Sequence, residues 1–154
     1  MKNIPQKVSQ GKVNTPIAAK PVDAPLSGQI NIPKGLKQDD LNDPNNIGNL
    51  TSYAYCVFYI AELQKEFKQF TDNGTLVPPE LKKKITDANR NMNSIKNSVE
   101  NQRLSPQQYK GYLETQVNKD KIMYLFFKEH NQAAKMETVK RRIQIITKEI
   151  TTIN

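Results

Sequence analysis

The chain has 154 residues, enough for one domain of ordinary size and an extension. Apolar residues make up 36% of it, so only part of the chain can be packed core, and 23 basic against 15 acidic residues leave a formal charge of +8. That surplus favours phosphates, anionic headgroups or acidic proteins as partners, and the single cysteine, Cys56, excludes an internal disulfide.

Residues 1–45 hold six of the nine prolines, three of the six glycines and no aromatic residue. Such a segment buries too little apolar surface to offset its ordering entropy, so a disordered tail is expected over 1–45. "IAAKPVDAPL" and "INIPKGL" are apolar islands in it, read as spacer ahead of docking motifs. The start "MKNIPQKVSQGKV" has no secretory apolar run, and residue 2 is lysine rather than the glycine of a myristoyl acceptor. The last four residues hold no cysteine for prenylation, and no stretch reaches the roughly 18–20 apolar residues of a membrane span. A soluble, cytoplasmic chain is expected, and its charge is compatible with cytoskeletal or peripheral membrane association.

Helical patterning begins at Asn46, and residues 46–154 are expected to form one α-helical domain. A first helix is predicted over about 49–71, with Leu50, Tyr53, Ala54, Val57, Ala61 and Phe67 near one face and Phe58, Ile60, Leu63 and Phe70 widening it. "TDNG" ends it, with Gly74 free to take positive φ. A second helix opens on Pro79 and places Leu81, Ile85, Ala88, Met92, Ile95 and Val99 at steps of 4 and 3, a narrow heptad seam.

A third helix starts at Ser105, with Pro106 in its first turn and Gln108 completing a capping box. Tyr109, Tyr112, Leu113, Val117, Met123, Tyr124 and Phe127 follow, and the all-round apolar "IMYLFF" within it is expected to be buried. A fourth helix carries a second narrow seam of Met136, Val139, Ile143, Ile146 and Ile150. A turn near His130 to Gln132 would make these two a hairpin rather than one long helix. The fold class expected is all-α: a tail and a four-helix antiparallel bundle, or two coiled-coil-like hairpins. Its shared core should hold the seam residues with Tyr109, Leu113 and Val117, and with Tyr53, Val57 and Phe67 from the first helix.

Catalytic groups are scarce. One His and one Cys cannot build a zinc cluster, no glycine-rich phosphate loop has the right spacing, and no calcium loop is present. Cys56 reads as a small buried hydrophobe rather than a nucleophile, and His130 as a helix-end side chain bonding the last carbonyls. Glu114 and Asp120 are six apart and do not share a helical face well. The chain is expected not to be an enzyme and to need no cofactor or metal.

The charge is uneven. From Pro79 to the end there are 15 basic and 8 acidic residues. Two clusters stand out, Lys82, Lys83, Lys84 and Lys140, Arg141, Arg142, each expected to face solvent between seam positions. They lack the aromatic interleaving used to stack single-stranded bases.

The stretch from Leu104 to Ile150 has a Tyr soon after the capping Ser, a Lys-Asp pair before the apolar patch and the closing run "VKRRIQIITKEI". In these features it resembles helical hairpins of the coiled-coil and C2 domain family. The chain has no room for a C2 domain and lacks its strands and calcium-type Asp loops. The resemblance implies an adaptor role near membrane-remodelling or ciliary assemblies and carries over no functional residue.

The function expected is a non-catalytic adaptor or scaffold making coiled-coil or helix-in-groove contacts. Its basic face (Lys82, Lys83, Lys84, Lys140, Arg141 and Arg142) would meet an acidic protein partner. The alternative is a nucleic-acid-binding or ribonucleoprotein component using the same Lys/Arg face. The seams at Leu81, Ile85, Met92, Ile95, Val139, Ile143, Ile146 and Ile150 either close on each other or make a homo-oligomer.

Overall fold

The computed structural model describes Asp23, Leu26 and residues 30–153. Its elements are α1 (Gln38–Asn42), a 3-10 turn (Ile47–Asn49), α2 (Tyr53–Asp72), α3 (Pro79–Glu100), α4 (Pro106–Glu129) and α5 (Ala133–Ile150). No strand occurs among the described residues, and the fold is all-α as the periodicity predicts.

Local chemistry sets the ends of the long helices. Ser52 caps α2 by accepting from the Tyr55 amide. The helix stops in a Schellman turn: Thr75 N–H donates to Phe70 O at 3.0 Å, Gly74 N–H to Thr71 O at 3.1 Å, and Gly74 sits at φ +69°. The capping box of α4 forms as read, with Gln108 N–H on Ser105 Oγ at 3.1 Å and Ser105 N–H on Gln108 Oε1 at 2.9 Å. Its far end is a second Schellman turn, Gln132 N–H to Phe127 O at 2.8 Å, with Asn131 rather than glycine at φ +57°. The chain therefore turns at His130 to Gln132, and α4 and α5 are a hairpin.

The α2–α3 and α4–α5 hairpins pack through α2 against α5. The larger core joins Tyr55, Cys56, Tyr59, Ile60 and Leu63 of α2 to Leu81 and Ala88 of α3, Tyr109, Leu113 and Val117 of α4, and Ile146 of α5. Ile85, Met92, Ile95, Ile143 and Ile150 pack against it, so both narrow seams close inside the chain. A second core holds Met123, Phe126 and Phe127 of α4 with Val139 of α5.

Three expectations change. Tyr53 and Val57 lie on the exposed side of α2, because that helix is apolar nearly all round and buries the Tyr55–Cys56–Tyr59–Leu63 face instead. "IMYLFF" is split: Met123, Phe126 and Phe127 are buried, while Ile122 and Leu125 point outward. The disorder expected over 1–45 lies outside the described residues for most of 1–29. From 30 to 45 the chain is instead packed, with Leu36 and Leu41 buried in the second core and Leu26 and Ile30 against it. The "INIPKGL" island is part of that packing, and the rest of "IAAKPVDAPL" beyond Asp23 and Leu26 lies outside the described residues.

Candidate functional site

Each basic cluster is placed by its helix. Lys82, Lys83 and Lys84 occupy the exposed first turns of α3, next to the buried Leu81. Lys83 Nζ pairs with Asp87 at 2.6 Å, and Arg90 reaches the same carboxylate at 3.2 Å, so part of that charge is answered locally. Lys140 and Arg141 are exposed on α5, and the Arg141 guanidinium lies 5.5 Å from the centre of the Phe58 ring.

Arg142 does not belong to this face. It is fully buried, and its fork grips Asp120, with Nε on Oδ2 at 2.9 Å and Nη2 on Oδ1 at 2.8 Å. Nη1 donates to Pro44 O at 2.7 Å and Asn45 Oδ1 at 3.2 Å, and the guanidinium lies 5.3 Å from the centre of the Tyr55 ring. Burial alone would lower the Arg142 pKa; the hydrogen bonds and charge of Asp120 outweigh it and hold the pKa above its usual value. The correction follows from phase: Val139, Arg142 and Ile146 step by 3 and 4 just as Val139, Ile143 and Ile146 do by 4 and 3.

Around this pair lies a buried polar network that patterning did not find. Gln116 Nε2 donates to Asp120 Oδ1 at 2.8 Å and to Asn49 Oδ1 at 3.3 Å, and Asn49 Nδ2 donates to Asp40 Oδ1 at 2.8 Å. Lys119 Nζ closes on Asp40 Oδ2 at 3.3 Å. Burial pushes the Asp40 carboxyl up; hydrogen bonds from Asn46, Lys37 N–H and Asn49, with the Lys119 charge, more than offset this and hold it below its usual value. The network ties the segment before α2 to α4 and α5. Its one sequence signal is Gln116 and Asp120, one turn apart on the buried side of α4.

A second polar cluster sits at the start of α2. Glu149 accepts from Ser52 Oγ at 2.5 Å, Tyr109 Oη at 2.7 Å and Ala54 N–H at 3.4 Å, placing a carboxylate from α5 at a helix N-terminus. All its partners are structural.

Cys56 and His130 take the structural places expected of them. Cys56 is fully buried, and burial pushes its thiol up to about 11, so little reactive thiolate forms near neutral pH. Asn91 donates to Leu50 O and to Cys56 Sγ beside it. His130 Nδ1 meets Phe126 O at 2.9 Å and the ring stacks on Phe126, which closes the end of α4. No group of three or more metal-ligating side chains occurs among the described residues.

The structure brings one residue of each exposed cluster together. Lys84 and Arg141 line one groove of about 480 Å³ between α2, α3 and α5, over Phe58, Tyr59 and Leu63. Asp43, Glu62, Glu66 and Glu137 line it as well, so its charge is mixed. Among the described residues no helix is long and apolar enough to cross a membrane. Comparison of the chain with family models, curated proteins and solved structures finds no match. The resemblance of 104–150 to hairpins of the coiled-coil and C2 domain family has no counterpart there, and the functional reading rests on this chain's own geometry.

Proposed function

We propose that the chain is a non-catalytic adaptor that binds a helical segment of a protein partner in the groove between α2, α3 and α5. The observation that carries this reading is that Lys84 and Arg141, from the two basic clusters, flank one groove with an aromatic and aliphatic floor. The floor of Phe58, Tyr59 and Leu63 would take the apolar stripe of an amphipathic helix. Acidic residues of the partner would lie at the rim, against Lys84 and Arg141. The groove's own carboxylates would repel them from its interior, which fixes how such a helix lies. Coiled-coil contact through the seams is not part of this reading, because those seams already pack inside the chain.

The test is affinity capture from cell extract with the wild-type chain beside a Lys84→Glu, Lys140→Glu, Arg141→Glu variant, both shown to be folded by circular dichroism. The reading expects a protein that the wild type retains and the variant loses. An unchanged set of bound proteins would refute it, and salt-sensitive retention of RNA alone would favour the ribonucleoprotein alternative.

A further inference from the structure

The outer face of α4 near its C-terminal end carries apolar side chains that the other described residues leave uncovered. Leu125 is 64% exposed and Ile122 38%. Beside them the chain turns at Pro33–Leu36: Leu36 N–H donates to Pro33 O at 3.1 Å, and Gly35 at φ +95° lets the turn lie against Ile122. A Cβ on Gly35 would come to 4.0 Å from Ile122 Cδ1. The turn carries Lys34 at its tip. Ile30, Pro33, Ile122, Leu125 and Phe126 share one groove of about 440 Å³, so these side chains form one patch.

Lysines frame the patch. Lys121 precedes Leu125 by one turn and Lys128 follows it by nearly one, so both flank it on the same face of the helix. Lys34, Lys121 and Lys128 are all exposed, and none makes an ion pair among the described residues. Glu129 lines the groove itself, and the three lysines stand around it rather than in its lining.

We propose that this face docks on an anionic phospholipid surface. Ile122 and Leu125 would enter the boundary between headgroups and acyl chains, while Lys34, Lys121 and Lys128 lay their aliphatic stems along it and their ammonium groups on the phosphates. Outward-pointing apolar tips flanked by exposed lysines are what such a surface requires, and the charge of those lysines complements it. The contact is peripheral and reversible, and it uses a different face from the groove proposed for a protein partner.

The test is co-sedimentation of the full chain with vesicles of phosphatidylcholine alone and of phosphatidylcholine with phosphatidylserine. Binding is expected only to the second. Leu125→Glu should weaken it about tenfold by removing an apolar contact and adding repulsion. Lys34→Ser, Lys121→Ser, Lys128→Ser together should weaken it about a hundredfold, at roughly fivefold per lysine. These positions are exposed, and circular dichroism of each variant checks that it folds. No retention on either vesicle overturns the proposal and leaves the face to a protein. Retention that Leu125→Glu does not change overturns it too, since that is diffuse electrostatic attraction. Loss in a Lys84→Glu, Lys140→Glu, Arg141→Glu chain, with the α4 variants binding normally, would put the lipid contact elsewhere and likewise overturn it.

Discussion

Arg142 and Asp120 are charges in a site closed to water, and each is acceptable there only because of the other. Arg142→Met or Asp120→Leu alone leaves one ion buried without its partner, and each is expected to cost about 3–5 kcal/mol of folding stability. The double variant should cost clearly less than the two added together, because the pair acts as a unit. It will not recover fully, since the Pro44 carbonyl keeps only its Asn49 Nδ2 donor and Gln116 Nε2 loses its Asp120 acceptor. Urea unfolding of the three chains measures this, and additive losses would show that the two side chains are not coupled. Arg141, its neighbour, stands apart: it is exposed and rests on Phe58, so its reversal should leave the fold intact. A joint reversal of Arg141 and Arg142 would report unfolding rather than partner binding.

At the scale of elements, the start of α5 depends on a residue from far along the chain. Gln132, its N-cap, makes no side-chain cap bond to the helix. Asp23 supplies one instead, accepting the amides of Ala134 and Lys135 at 2.9 Å each. Asp23→Ala should therefore speed hydrogen exchange at those two amides and cost about 1 kcal/mol, as loss of a local cap does. Unchanged exchange there would show that the cap contributes nothing in solution. Such a contact spans 111 positions and leaves no mark on the local pattern. By contrast, the Ser105–Gln108 box, the Gly74 stop and the α3 seam rest on neighbouring residues, and the sequence shows them plainly. The buried face of α2 could not be read because nearly every face is apolar. Arg142 could not be read because a cation joins a core only through a partner, here 22 residues away. The basic clusters were legible as charge, but the groove that Lys84 and Arg141 share exists only once α3 and α5 have packed around α2.

At the scale of the molecule, the two heptad seams could in principle serve an assembly of chains. Here Leu81, Ile85, Met92 and Ile95 meet α2 and the larger core, Ile143, Ile146 and Ile150 join that core from α5, and Val139 packs on α4 in the second core. The segment over 30–50 adds the buried Asp40–Asn49–Gln116 network across α4. What is left outside includes a charged groove and an apolar patch flanked by lysines. The central claim, that the seams close within one chain and leave the surface for partners, is tested most directly by the mass of the full chain in solution. Light scattering after size exclusion, over a concentration series, should give the monomer mass at every concentration. A dimer or larger species that grows with concentration would contradict the account, because a seam would then join copies of the chain.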